Sequence, residues 1–590
     1  MTVHLLAGAA ALGAWWRFSV GWAVPLIVVA FGWRWHRTAT VVVAACLLAG
    51  WWSHRAVERF EPPPAQAVSE WVTLTSDPRP SGPVGVRASA TWGHHRVSVA
   101  AHGPLAGRLD DHLAGERILV VGSFRPVRSG DSWAQWRHEV GSITATEIRD
   151  HARGSPLSRF ANTLRRVLAD GATSMDRDDR AVFSGMVLGD DREQSAVVAD
   201  DFRAAGLGHL LVVSGQNVAF ILALLGPLTR RMRPAGRFGV VCVVLLVFVT
   251  LTRFEASVLR ASMMAGIGVG AAVLGGPIDG RRALSASVVV LLAVDPFLIR
   301  VVAFQLSVLA TAGIVWLSGP LAARLRGPEL MRVAVATTVS AQLAVSPLLV
   351  GTFGPVPAAA LPANLLAGAA SGPIMMWGWT GGFVAGVLGE PWAGWIHAPT
   401  ELLVGWVRIV ARVTAAAPFA SIGAVGISCL GAAMVIALRI DRGRVIAASG
   451  AVVVLVFSVI RAPSTPAEST WVAGGVLVHP GDLVVLELHD PHQPRTLLES
   501  LRQAGVRRVD VVVARDGDRA DADMVVALRA RFGDVLVLAP RLHRVPTATS
   551  VHPGTVVRIG ALVIHARTEG EQDQLVVAWC PGATCEDVPP

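Results

Sequence analysis

Apolar runs long enough, or nearly long enough, to cross a bilayer recur along this chain, divided by short arginine-bearing loops. Hydrocarbon offers backbone N–H and C=O groups no water, so such runs fold as helices that satisfy their own polar groups. Three lie at about 4–16, 19–33 and 38–53. Ten more lie at about 206–228, 238–252, 257–275, 283–299, 301–318, 332–350, 356–373, 374–389, 420–438 and 444–460. The expectation is a polytopic α-helical membrane protein of about 13 spans. Composition agrees: only 16% of the 590 residues are charged, against about 25% in soluble domains. Mean hydropathy is +0.51. With 19 Trp and no Tyr, any aromatic belt at the interfaces must be built from Trp. ELLVGWVRIVARV, 401–413, carries two Arg and reads as a helix lying in the interface.

The formal net charge of +9 is largely Arg in short loops. RWHR at 34–37, RRMRPAGR at 230–237, DGRR at 279–282, RLRGPELMR at 324–332 and RIDRGR at 439–444 all fall on one side of the expected topology. The positive-inside rule makes that side cytoplasmic. The N-terminus is then cytoplasmic, and both long polar regions are extracytoplasmic. Topology accounts for the charge, which alone does not establish a nucleic-acid partner. No cleavable signal peptide is expected. Cys580 and Cys585 are spaced for a small disulfide, and a reduced pair is an equally open reading.

The domains expected are 1–55, N-terminal transmembrane helices; 56–154, a β-rich region; 155–205, a helical linker; 206–462, the membrane core; and 463–590, a soluble domain. VGVRASATWG, HRVSVAA and RILVVGSFRPV alternate like half-buried strands and suggest a small β-barrel or sandwich. In the last region GDLVVLELHD, PRTLLESLRQAG, RRVDVVVAR, DADMVVALRARFG and DVLVLAP read in β-α-β-α-β order, which suggests a layered α/β domain.

The apolar core carries polar side chains that lipid cannot satisfy: Ser214, Gln216 and Asn217, with His209 one turn upstream; Arg253, Ser257 and Arg260; Gln305 and Ser307; Ser340 and Gln342; Asn364. Gly215, Pro347, Pro362 and Pro373 interrupt the same segments. Broken helices and intramembrane polar groups survive where they face protein or a water-filled path. Spread over five segments, the set points to a polar interior, with Gly215 letting the backbone open. For any single residue, helix–helix glue at about 0.6 kcal/mol stays open.

GLGHLLVVSGQNVAF at 206–220 resembles the signature that opens the competence domain of the ComEC family of bacterial DNA-uptake channels. MVLGDDREQSAVVADDFRAAG before it, and SVLRASMMAG, RRALSASVVVLLAVDPFLI, FQLSVLATAGI and AQLAVSPLLVGTFGPVPAAALPANLLA after it, extend the resemblance through about 180–460. The resemblance implies an OB-like fold for the β-rich region, with Arg87, Trp92, Arg96, Arg125 and Arg128 as candidate DNA contacts. His94, His95, Trp133 and Trp136 supply further residues of that kind. It implies a truncated metallo-β-lactamase-like fold at the C-terminus. There the family's His-rich metal loop is ARDGDRADAD, which contains no His. Asp516, Asp518 and Asp521 stand at ligand positions, and Ala520 replaces an Asp. Imidazole is a major transition-metal ligand, so a degenerate, non-catalytic site is expected, with no cofactor.

The function implied is an inner-membrane channel translocating single-stranded DNA in natural transformation. His209, Ser214, Gly215, Gln216, Asn217, Arg260, Gln305, Gln342 and Asn364 would line it. A membrane-anchored metal-dependent nuclease, or a transporter of another polyanionic envelope polymer, is the alternative. The implied partners are DNA, the bilayer, a competence DNA receptor and a cytoplasmic motor, and a homodimer is compatible. No Walker-type loop is present to supply energy.

Overall fold

The computed structural model describes residues 2–16, 37–58, 62–81, 85–127, 137–416, 421–439 and 469–579. The last range has gaps at 480–482, 490–493, 507, 542, 553–554, 560–561 and 570–571. The expected spans at 19–33 and 444–460, together with Arg128, Trp133, Trp136, Cys580 and Cys585, lie outside the described residues. Of the described residues, 80–81, 194–204 and 469–579 form one compact unit and the rest form another.

The first unit opens with α1 (Thr2–Trp16) and α2 (Arg37–Glu58), packed side by side. Gly13 permits this approach, since a Cβ there would lie 1.9 Å from the Cys46 carbonyl oxygen. Next come β1 (Gln66–Leu74), β2 (Gly85–Trp92), β3 (His95–His102), the short α3 (Pro104–Asp110), β4 (Arg117–Pro126) and β5 (Glu139–Ala152). β1 pairs antiparallel with β4, β4 with β5 and β3 with β2, while β5 lies parallel to β3. The Thr73–Thr91 pairing of β1 with β2 closes the ring. The alternation seen in sequence sends Val72, Ala90, Val97, Val99, Ile118, Val120 and Ile143 into one core.

α4 (Pro156–Gly171) starts at a Ser155 cap with Pro156 behind it, and α5 (Arg177–Leu188) starts at an Asp176 cap and stops at left-handed Gly189. α6 (Ala196–Ala204) belongs to the second unit. The helical core follows: α7 (Gly215–Thr229), α8 (Pro234–Leu251), α9 (Ala256–Val273), α10 (Gly280–Val294) and α11 (Val302–Gly313). α11 continues through a π turn at Ile314–Ser318 to Arg324. Then come α12 (Glu329–Phe353), α13 (Ala360–Leu388), α14 (Trp392–Ala416) and α15 (Ala424–Arg439). Four helices among the described residues, Pro234–Leu251, Ala256–Val273, Val302–Arg324 and Glu329–Phe353, are long and apolar enough to cross a membrane. At 1.5 Å per residue the shortest of these reaches about 27 Å, close to a hydrocarbon core.

Several expected boundaries are corrected. The run at 206–228 is helical only from Gly215. The runs at 356–373 and 374–389 are one 29-residue helix, α13, with Pro373 inside it, and Pro347 likewise sits inside α12. A proline costs one backbone bond and a clash, and close packing along α13 offsets this. Gly378 and Gly382 face Phe183, and Gly386 lets the Val167 carbonyl approach to within 1.9 Å of where a Cβ would stand. The segment at 401–413 belongs to the 25-residue α14.

In the second unit β6 (Ser469–Val472) and β7 (Gly475–Val478) form an antiparallel hairpin whose β7 edge pairs with β8 (Val485–Leu488). α16 (Pro494–Gln503), β9 (Val511–Ala514), α17 (Arg519–Phe532), β10 (Leu536–Pro540) and β11 (Thr549–Val551) follow, with β8 to β11 mutually parallel. A separate three-stranded sheet, β12 (Val556–Ile559), β13 (Leu562–Glu569) and β14 (Gln572–Trp579), completes it.

Candidate functional site

The residues before α7 do not form a helix. Gly208–Leu210 is a single 3-10 turn bearing an exposed His209, and the chain stays irregular to Ser214. Ser214 then caps α7, accepting from the Gln216 N–H at 3.3 Å. Gln216 is exposed, while Asn217 is buried. The Asn217 amide donates to the Met186 carbonyl at 3.1 Å, and its oxygen accepts from the Ser214 hydroxyl at 3.4 Å. This corrects the lining role expected for Asn217: its amide closes one of the open carbonyls at the end of α5, which is the glue reading. Gly215 is corrected too. It sits in the first turn of α7 and opens no backbone; its missing side chain makes room for a neighbour.

That neighbour is Arg260. A Cβ on Gly215 would lie 2.6 Å from Arg260 Nη2 and 3.0 Å from Ala261 Cβ. Arg260 projects from the second turn of α9 and is only 5% exposed. Its Nε donates to the Ser307 hydroxyl on α11 at 2.9 Å, and Nη1 lies 3.7 Å from Met264 Sδ. Among the described residues no carboxylate pairs with it. Ser257, one turn earlier on α9, donates to the Val213 carbonyl at 3.1 Å, so α9 is pinned to the irregular turn. A guanidinium that cannot shed its charge therefore lies beside the positive end of α7, where fixed charge favours an anion.

The remaining core residues are dispersed. The Gln305 amide donates to the Ile299 carbonyl at 2.6 Å, which braces the turn into α11. Gln342 contacts Ser346 along α12 at 3.5 Å. Asn364 is half-buried near the start of α13. Arg253 does not belong to the intramembrane set. It stands between α8 and α9 at φ 57 and makes a bidentate pair with Asp77 of the β-rich region, at 2.8 and 3.0 Å. Asp295 caps the turn before α11, accepting from Phe297 N–H, and meets His138 Nε2 at 3.1 Å.

Around Asp77 lies a buried ion cluster that sequence reading missed, because its members are distant in the chain. Arg165 of α4 donates through Nη1 to the Leu188 and Leu251 carbonyls, at 2.7 and 2.9 Å, and so caps the C-terminal ends of α5 and α8 together. Its Nη2 reaches Asp77 at 3.2 Å and Asp190 at 3.4 Å. Burial raises the Asp77 pKa, but Arg165 and Arg253 outweigh it and bring the group down to about 2.

On the barrel, the candidate contacts separate. Trp92 is 8% exposed and its Nε1 donates to Glu70, so it is a core residue and not a stacking platform. Arg87 is half-buried on β2, and Arg96 and Arg125 are exposed on β3 and β4. The half-exposed Trp is Trp71, with the Arg117 guanidinium 5.4 Å from its ring centre. Both line an open cleft of about 510 Å³ with Ser69, Thr73 and Thr91. The alternation of β1, QAVSEWVTL, carried this signal: Val68, Val72 and Leu74 point inward, so Trp71 points outward.

In the C-terminal loop, Asp518 caps α17, accepting from the Asp521 N–H at 2.8 Å, and Asp521 accepts from the Gly517 N–H at 2.8 Å. Burial first, then the neighbouring Asp518 and Asp516, raise the Asp521 pKa to about 7. These carboxylates turn back onto the loop's own backbone, and Asp516 stands with them at the end of β9.

Stacked apolar helices of membrane-spanning length, with polar groups buried among them, define a polytopic membrane protein. Residues 186–440, less than half of the chain, match the family model described as Competence protein, and this match supports a ComEC-type protein. That match suggests a role in DNA uptake for transformation. No curated protein and no solved structure matches the chain.

Proposed function

We propose that the helical core is the channel through which one DNA strand enters, with the ground between the α7 N-terminus and Arg260 as the station that meets its phosphates. The observation that carries this is a buried arginine, unpaired by any described carboxylate, beside a helix N-terminus. Each phosphate brings one negative charge, and a path for it needs cationic and hydrogen-bonding groups in place of bulk water. Ser214, Gln216 and Ser307 supply neutral partners. The barrel's strand order supports the OB-like reading, and the Trp71–Arg117 pair is its candidate hold on a single strand. The parallel β8–β11 sheet supports the metallo-β-lactamase-like reading of the C-terminal domain, whose acidic loop is an internal cap and not a two-metal centre.

The basic loops support an extracytoplasmic placement of both soluble regions. With α13 a single helix, the even number of crossings needs α14 to complete the return. Reporter fusions after residues 150 and 590 should both be active for an extracytoplasmic enzyme, and opposite results would remove α14 from the count.

The test of the channel separates two neighbours. Gln216→Leu should leave the protein abundant and surface DNA binding intact, while internalised label falls at least tenfold. Asn217→Leu should instead lower protein level, since it removes the bond to Met186. Full internalisation by both Gln216→Leu and Arg260→Met would sink the reading.

A further inference from the structure

The α6 segment lies within the family match by sequence but packs with the C-terminal domain. Ala196 and Val197 rest against the core formed by Leu497, Leu501, Met524, Val525 and Leu528. Asp200 is 2% exposed and stands between Arg502 Nε at 3.3 Å and Arg531 Nε at 3.7 Å. Asp201 pairs with Arg531 as well. The Arg495 guanidinium donates to the Gln194 carbonyl at 2.7 Å, and Arg203 meets Glu499 at 3.8 Å on the rim. Two adjacent buried carboxylates would be strongly destabilised without these arginines, because a buried charge needs a partner of opposite sign. The match is therefore specific to this helix, with its charges at these positions.

We propose that the working surface of the C-terminal domain is this α16–α17 face, and that its ligand is residues 194–204 of its own chain. The domain would act as a docking module that holds the segment leading into the 208–210 turn, a role independent of any chemistry at its strand ends. The loop end of the domain is closed by its own caps, whereas the helix face carries two arginines, Arg502 and Arg531, directed at the carboxylates of one helix, and a third, Arg495, directed at the Gln194 carbonyl just before it. The inference does not rest on the channel reading, because it concerns what this face binds.

The test uses the full-length chain with its five cysteines replaced by serine. Val197→Cys should react slowly with a water-soluble maleimide. Its rate should rise at least fivefold when Asp200→Asn and Asp201→Asn are added, and equally when Arg502→Ala and Arg531→Ala are added from the other side. A second measurement does not depend on those variants folding well: Arg203→Cys with Glu499→Cys, both on the rim, should be joined by a short bis-methanethiosulfonate linker. Unchanged Val197→Cys reactivity in either charge variant would overturn the proposal, as would failure of the rim pair to cross-link.

Discussion

Two arginines, Arg165 and Arg260, are almost equally buried and could not be more differently kept. Arg165 meets two carboxylates and two helix-terminal carbonyls. Arg260 meets one hydroxyl, one thioether and the bare backbone of a glycine. Burying a guanidinium costs several kcal/mol, and the cost is recovered only with good partners. Around Arg165 the fold supplies them, so the residue is explained by what it holds together: α4, the ends of α5 and α8, and through Asp77 the barrel. Around Arg260 the fold supplies no anion among the described residues. Such a charge persists either as a liability or because its anion arrives from outside. The contrast between the two is the lesson: Arg165 is kept by carboxylates, Arg260 is buried without one among the described residues, and that makes Arg260 the functional candidate.

The largest effect should come from breaking the complete cluster. Arg165→Met leaves Asp77 and Asp190 short of a cation and two helix ends uncapped, a loss of about 3–5 kcal/mol. Protein level in membranes and the melting temperature in detergent should both fall steeply. The same cluster has an acid limit. The Asp77 carboxyl lies at about 2 against an ordinary 3.8, so its folded pKa is depressed. Its stabilisation is present above about pH 4 and lost as pH falls towards 2, about 2 kcal/mol in all. Melting curves from pH 5 to pH 2 should show this loss in the parent and a flatter profile in Asp77→Asn.

Arg260→Met should invert that pattern. It removes an uncompensated charge, so the melting temperature should hold or rise, while DNA internalisation falls at least tenfold with surface binding intact. A parallel fall in protein level and internalisation would make Arg260 a second Arg165 and erase the distinction. Gly215→Ala tests the same contact from the other side. The new methyl would stand 2.6 Å from Nη2, so the guanidinium must shift. Internalisation should drop several-fold, with a stability cost of about 1–2 kcal/mol.

Much of this was legible in the sequence where one periodicity ruled a segment. Apolar runs gave most of the core helices, period-two alternation gave the strands of the barrel, and short apolar runs in β-α-β order gave those of the parallel sheet, which are buried on both faces. Boundaries failed where tertiary contacts overrode local rules. Pro373 reads as a break, yet the glycine face of α13 packs so closely that the helix continues through it. The 206–214 stretch reads as helix because it is apolar, yet Gly206 at φ 73 and the Ser214 cap delay the helix until Gly215. Of the site, the sequence showed that Ser214, Gln216, Arg260 and Ser307 were polar groups in apolar surroundings. It could not show which were already satisfied. Asn217 and Gln216 are adjacent and chemically alike, and only the position of the Met186 carbonyl separates glue from exposed group. The Asp77 cluster was invisible for the same reason, since pairing across 88 to 176 positions leaves no local pattern.

The smallest expected effect sharpens the comparison most. Ser307→Ala removes the hydroxyl that accepts from Arg260 Nε and changes no charge. If Arg260 were a structural cation, losing its only described oxygen partner would leave an unsatisfied charged donor and cost about 1.5–3 kcal/mol of stability. If its partner is instead the phosphate in transit, the hydroxyl merely aims the guanidinium. Stability should then change by less than about 1 kcal/mol, and internalisation should fall only a few-fold, with Ser307→Thr restoring it because the hydroxyl returns. The melting temperature and the uptake assay together decide between these outcomes. A large loss of stability with unchanged uptake per molecule would place Arg260 beside Arg165, as a group that builds the fold and has no part in the path.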